Sequence, residues 1–256
     1  MQNLKDKTVL ITGGSGGIGK ALANSLAKEG MKLAIAARNE ARLNEIAQKI
    51  RQSTSTTVLP LKADASKRED LESLVDKVMG EFGKIDVLIN GVGISSQYPF
   101  WEQPLEDIEN LISTNFFGYV MCTRLVLPHM IRLGGGTIIN LVSGSTLVDP
   151  PPKNFLVYTS LKVGLRSFTK GLFWETRHLG IKVTSILPGV TNTALTGKLK
   201  NIDASRLMTT EAIEKAVHFA LTCPIDVCPL EISVINQLSP WTIPVIPRIQ
   251  PGQKVG

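Results

Sequence analysis

The chain has 256 residues, long for one ordinary domain but normal for a single α/β sheet domain. Its apolar fraction of 43% and charged fraction of 20% are those of a globular protein. A net charge of +6 without a run of like charges argues against nucleic-acid binding, and three cysteines suggest neither a disulfide framework nor a metal knuckle.

Residues 7–12 (KTVLIT) form a β-branched run, read as a buried strand. It breaks into Gly13-Gly14-Ser15-Gly16-Gly17-Ile18-Gly19, and a helical pattern over 17–28 follows, stopped by Gly30. A second strand is expected over 32–37, a charged amphipathic helix over 41–52 and a third strand over 57–63. Ser66, with Glu69 three residues on, predicts a capping box for a helix reaching Phe82. Strands over 85–90 and 137–142 bracket one long helix over 105–130. A second long helix covers 157–178, with strands over 182–187 and 231–236. Residues 191–210 are polar and poorly periodic, and a proline-rich tail from 239 reads as extended chain.

Strands alternate with helices throughout, and the strands are apolar without polar alternation. That pattern predicts one α/β domain, a doubly wound parallel sheet of seven strands (Rossmann-like) with right-handed crossovers. The N-terminus has no signal-peptide profile and no apolar run approaches a membrane span, so the cytosol is the expected compartment and no membrane partner is expected.

A glycine-rich turn between the first strand and first helix is where a dinucleotide pyrophosphate binds. Glycines admit the backbone to close range, and the helix N-terminus supplies free N–H groups and the positive end of its dipole. Here the turn reads Thr12-Gly13-x-x-x-Gly17-x-Gly19, with Ser15, Gly16 and Ile18 inside it, and lacks the Lys-Ser/Thr of a P-loop. The second strand ends in Ala37-Arg38-Asn39. No acid stands there to take a ribose 2′-hydroxyl, and Arg38 suits a 2′-phosphate, which points to NADP.

Tyr158 and Lys162 lie four apart on a predicted helix and share a face. A phenol titrates near pH ~10, and a neighbouring ammonium favours the phenolate, so such a pair can exchange a proton with an alkoxide near neutrality.

Together these motifs identify the chain as similar to the short-chain dehydrogenase/reductase family, from Lys7 to about Asn236. The resemblance implies that Asp64 and Ala65 meet the adenine, that Asn90-Gly91-Val92-Gly93 stands where the family has Asn-Asn-Ala-Gly, and that Asn115 is the helix Asn of a catalytic tetrad. It also implies that Pro188-Gly189-x-Thr191-x-Thr193 holds the nicotinamide carboxamide. The tetrad serine is Ser143 by strand register, or Ser145 by the family's commonest separation from Tyr158. Ser143 is preferred, with Asp149-Pro150-Pro151-Pro152 accounting for the longer gap.

The implied activity is NADPH-dependent reduction of a carbonyl, or the reverse oxidation. Tyr158 is the proton donor, Ser143 stabilises charge on the oxygen, Lys162 tunes Tyr158 and holds the ribose, and Asn115 anchors a relay water. A non-redox cyclase or isomerase on the same scaffold is the alternative. Residues 94–98, 148–155 and a lid over 194–209 should line an apolar substrate pocket that suits a hydrophobic or cyclic ketone. Members of the family pair through their two long helices, so a homodimer or homotetramer is expected, with Phe116, Phe117, Phe173 and Trp174 as candidate contacts.

Overall fold

In the computed structural model, which describes residues 3–241 (Lys198 by its backbone alone), seven strands make one sheet. They are β1 (Thr8–Thr12), β2 (Lys32–Ala37), β3 (Val58–Lys62), β4 (Val87–Asn90), β5 (Gly136–Leu141), β6 (Ile181–Pro188) and β7 (Glu231–Val234). All pairs are parallel, in the order β3-β2-β1-β4-β5-β6-β7. The seven-stranded doubly wound sheet is the one expected. Every residue of β1 and β4 is buried, because helices cover both faces of the sheet.

Helices α1 (Gly17–Lys28) and α2 (Glu40–Ser53) pack on one face. Helices α3 (Arg68–Phe82), α5 (Gly118–Arg132) and α6 (Leu156–Thr176) pack on the other. A short helix α4 (Leu105–Ile112) leads into α5. After β3 the chain returns across the sheet to place β4 beside β1. The carboxyl ends of those two strands diverge there, which is where sheets of this kind bind ligands.

Three elements differ from expectation. The long helix over 105–130 is split: Ser113–Phe117 form a π-turn between α4 and α5. An extra residue per turn leaves the apolar stripe nearly intact, so periodicity does not reveal it. Helix α3 starts at Arg68 without a capping box, because Ser66 is engaged elsewhere. Its backbone N–H and hydroxyl both donate to Asp64 Oδ1, at 3.0 and 2.8 Å. Lastly, a helix α7 (Glu211–Thr222) covers the α1 side of the sheet. Ile213, Ala216, Val217, Ala220 and Leu221 make its buried stripe at helical spacing. Of the proline-rich tail, only residues 239–241 lie within the described part of the chain.

A chain of buried polar side chains ties the sheet centre to its helices. Asn90 donates to Thr123 Oγ1 at 3.0 Å and to Asn140 Oδ1 at 2.9 Å, and Asn140 donates to Thr169 Oγ1 at 2.9 Å. Buried hydrogen bonds of this kind fix strand against helix because breaking one strands a desolvated partner, at about 1–3 kcal/mol. Of the proposed pairing aromatics, Phe116 and Phe173 pack against buried clusters, while Trp174 is exposed and stacks beside the Arg177 guanidinium. Among the described residues no helix is long and apolar enough to cross a membrane.

Candidate active site

Two cavities open at the carboxyl ends of the strands and share Gly91, Val92 and Gly93, so they form one continuous trench. The smaller, about 240 Å³, lies over β1, β2 and β3 and is lined by Gly13, Ser15, Gly16, Arg38, Asn39, Asp64 and Ala65. The larger, about 460 Å³, lies over β4, β5 and β6. Ile18, Ser143, Ser145, Tyr158, Lys162, Pro188, Gly189, Thr191 and Thr193 all face it. Residues that lie far apart in the chain are thus brought to one groove.

Four expected residues do not themselves line either cavity. The side chain of Asn90 is turned into the core, in the polar chain described above. Gly19 sits under the glycine turn, and Gly17 starts α1 so close to Thr193 that a Cβ there would come within 2.6 Å of its methyl group. Asn115 is fully buried at the π-turn. Its amide donates to the carbonyls of Ile94 (3.0 Å) and Leu111 (3.2 Å), and its Oδ1 accepts from the Ile94 N–H at 3.3 Å. Asn115 therefore anchors the segment after β4 rather than facing the groove with its side chain.

At the smaller cavity, Gly13 has φ +73°, and a Cβ on it would lie 2.6 Å from the Gly91 carbonyl. Only glycine permits both the left-handed backbone and this approach of two loops. Helix α1 has Gly16 at its N-cap, no side-chain cap and no acid in its first turn, which leaves its N-terminal dipole uncompensated. Arg38 is exposed and makes no hydrogen bond or ion pair among the described residues. The Asn39 side chain caps α2 by accepting from Arg42 N–H at 3.0 Å. Burial works to raise the Asp64 pKa, but the two bonds from Ser66 and the charges of Arg38 and Lys67 outweigh it, and the carboxyl titrates below its usual range.

At the larger cavity, Ser143 leaves the end of β5 and caps a short turn, its Oγ accepting from Ser145 N–H at 3.1 Å. The two serine hydroxyls are 3.0 Å apart. Ser143 acts to lower the Tyr158 pKa, whereas Ser145 accepts from Thr159 at 3.3 Å. Both serines line the cavity, and Ser143 is the one that bears on the Tyr158 phenol's titration.

Lys162 is only 2% exposed. Its ammonium donates to the Leu141 carbonyl at 3.0 Å and to the Tyr119 hydroxyl at 3.3 Å. Burial lowers its pKa to about 7. Burial also raises the Tyr158 pKa, and the Ser143 hydrogen bond only partly opposes that rise. The expected lowering of the phenol by the ammonium does not dominate here, because dry surroundings penalise both charged forms.

Helix α6 is braced one turn beyond Lys162. Arg166 forms a two-pronged ion pair with Glu231 of β7, at 2.5 and 2.6 Å, and donates to the Thr146 carbonyl at 3.0 Å. The bracing joins α6, β7 and the turn that follows Ser143.

The rest of the larger cavity is mostly apolar: Val148, Pro152, Phe155, Leu195, Leu199, Ile235 and Trp241 line it beside Ser95, Thr196, Asn236 and Ser239, while Leu147 does not. Trp241 meets Phe155 edge-on, with ring centroids 5.7 Å apart. Residues 239–240 are held to the 202–206 segment by Asp203 N–H to the Pro240 carbonyl (2.7 Å) and Arg206 to the Ser239 carbonyl (3.1 Å). Sequence reasoning missed Tyr119 and Trp241. Tyr119 stands one helical turn past Asn115, a spacing that could have revealed it; nothing local marks Trp241.

The short chain dehydrogenase family profile matches residues 7–203. An uncharacterized oxidoreductase of Staphylococcus saprophyticus is 33% identical over 234 residues, covering 91% of this chain and 99% of that protein. Among solved structures, the alcohol dehydrogenase of the archaeon Thermococcus sibiricus, complexed with 5-hydroxy-NADP, aligns with a TM-score of 0.82 and 28% identity. That match covers 90% of this chain and 96% of the other. The 3-ketoacyl-(acyl-carrier-protein) reductase of Brucella melitensis, complexed with NADH, aligns with a TM-score of 0.82 and 26% identity over 91% and 98% of the two chains. A match across most of the chain, joined to the shared sheet, shows that the chain belongs to the short-chain dehydrogenase/reductase family of oxidoreductases.

Proposed function

We propose that the protein is an NADPH-dependent carbonyl reductase, able to run the reverse oxidation, acting on a hydrophobic or cyclic ketone. The observation that supports this reading best is the placement of Ser143, Tyr158 and Lys162 in one wall of an apolar cavity that continues past Gly91–Gly93 to Arg38.

The groove suits a dinucleotide. Gly13 and Gly16 leave room for a diphosphate at the uncapped start of α1. Asp64 and Ala65 form the adenine side, and Pro188, Gly189, Thr191 and Thr193 the nicotinamide side. The bound nicotinamide supplies the hydride. Tyr158 donates its proton to the substrate oxygen, and Ser143 hydrogen-bonds that oxygen and stabilises the charge developing there. Lys162 keeps a positive charge behind the phenol, and Asn115 holds the backbone around the site. Residues 194–209 serve as the substrate lid. The relatives with solved structures bind either form of the cofactor, so the choice of NADP rests on Arg38 and on the lack of an acid at the end of β2. The non-redox alternative finds no support among these relatives. A homodimer or homotetramer built on α5 and α6 is part of the same reading.

The test is to follow consumption of reduced cofactor against a panel of apolar ketones, with NADPH and NADH in parallel. Arg38→Ala should weaken NADPH binding by roughly 10- to 100-fold, the value of a charge-assisted phosphate contact, and leave NADH almost unchanged. Equal loss for both cofactors sinks the NADP assignment, and tight NADPH binding with no ketone consumed sinks the reductase. Ser143→Ala should lower kcat by about 10²–10³-fold, against a few-fold for Ser145→Ala. The reverse ranking moves the role to Ser145.

A further inference from the structure

Tyr119 lies in the first turn of α5, only 1% exposed, and its hydroxyl reaches the larger cavity beside Lys162. It has two carbonyls within reach, Val92 at 2.6 Å and Leu141 at 3.1 Å, and Lys162 Nζ at 3.3 Å. An ammonium has donors and no lone pair, so the Tyr119 oxygen must accept from Lys162. The single hydroxyl proton then goes to a carbonyl, and Val92 is the nearer. Leu141 is left free to accept from Lys162 at 3.0 Å. The bond directions are thus set by counting protons. The ammonium also stands 4.6 Å from the centroid of the Tyr119 ring, within cation–π range.

We propose that Tyr119 is a positioning residue for Lys162: its hydroxyl, locked by donation to the Val92 carbonyl, and its ring together hold the buried ammonium in place and in its charged form. Two of the three ammonium hydrogens are then committed to Tyr119 and Leu141. The third has no protein acceptor among the described residues and is left for the groove. The titratable groups facing Lys162 are Tyr119 from α5 and Tyr158 from its own helix. The chain after β4 and the end of β5 present carbonyls, burial pushes the Lys162 pKa down, and no carboxylate among the described residues is paired to it. Among the described residues, these neutral acceptors and the ring are what offset burial of the charge. The inference uses the proposed function for its meaning, since Lys162 matters through Tyr158, but its test does not require turnover.

The measurement is the titration of the Lys162 13Cε resonance in the cofactor-free protein, assigned with Lys162→Arg. Tyr119→Phe keeps the ring and its packing and removes one acceptor of the ammonium. Its Lys162 midpoint should fall by about one pH unit from the wild-type value, the effect of one charge-assisted hydrogen bond. A Phe variant that is folded and titrates at the wild-type midpoint overturns the proposal, because a purely structural Tyr119 would change thermal stability and leave that midpoint alone. If the Phe variant does not fold, 3-fluorotyrosine at position 119 carries the test. It keeps shape and donor but weakens the acceptor, so the midpoint should move in the same direction by a smaller amount, and an unmoved midpoint overturns the proposal. A ketone panel that shows no turnover would sink the reductase reading and leave this titration interpretable.

Discussion

Tyr158→Phe is expected to lower kcat for carbonyl reduction by about 10²–10⁴-fold, the usual contribution of a placed general acid, with cofactor affinity changed only a few-fold. The substitution removes one hydroxyl and keeps the ring, which packs edge-on to Phe155 at 6.4 Å. The fold should survive, so the thermal midpoint should stay within a few degrees of wild type. The direction of the Tyr158 shift also fixes the pH behaviour. Burial raises this pKa, so at neutral pH the phenol is protonated and ready to donate. Reduction should fall first as pH rises through about 7 and Lys162 loses its charge, and again at strongly alkaline pH as the phenolic proton is removed. Oxidation of the alcohol needs the phenolate and should rise over the same alkaline range. Initial rates in both directions, carried from pH 6 to beyond pH 10 where the raised phenol titrates, check this. Oxidation that peaks below neutrality, or a Phe variant with more than a tenth of wild-type kcat, would remove Tyr158 from the role.

Lys162→Met should separate activity from stability. Turnover should fall at least about 10²-fold, since the positive charge behind the phenol is lost. Stability should respond to pH in a defined sense. An unfolded lysine titrates near 10.5, and the buried one near about 7, a lowered pKa for a cation. The folded protein then binds fewer protons than the unfolded chain between those values. Burial of this charge therefore costs most below pH 7, on the order of a few kcal/mol, and the cost fades as pH rises through the unfolded pKa. Methionine has the length of the lysine stem and no charge, so it escapes this cost but gives up the bonds to the Leu141 carbonyl and the Tyr119 hydroxyl, at about 1–3 kcal/mol. The net difference at one pH is small; its slope is not. Urea midpoints should show the variant gaining on wild type at pH 6 and losing that advantage by pH 10. Parallel curves for the two proteins across this range would show that the buried ammonium carries no such cost.

The sheet could be read from the chain because strands buried on both faces are written as continuous apolar runs, such as KTVLIT and VLIN. The groove followed from the same pattern: glycines after the first strand, Arg38 after the second and a Tyr–Lys pair at helical spacing depend on local order alone. What escaped depends on contacts distant in sequence or on departures from regular geometry. The π-turn at Asn115 leaves helical periodicity nearly untouched, yet it decides which way that side chain faces. Ser66 carries the residue type of a cap, but Asp64 two positions earlier takes its hydroxyl. Helix α7 has a clear stripe from Ile213 to Leu221, but the aperiodic stretch before it masks where the helix begins. Trp241 enters the cavity from a proline-rich tail because Asp203 and Arg206 hold the chain there, a partnership no local pattern encodes.

The Arg166–Glu231 brace gives the order of synthesis a role in building the site. Arg166 sits on the helix that carries Tyr158 and Lys162, but its carboxylate partner belongs to β7, the last strand of the sheet among the described residues. While a ribosome has delivered the chain only as far as β6, the helix is present and its partner is not. The turn after Ser143 then has half of its support, and the sheet ends at an uncovered β6 edge. A nascent chain at that stage has every polar side chain proposed for the chemistry and still lacks the strut that sets them against one another. The brace on the groove can therefore close only once β7 has been synthesised and docked.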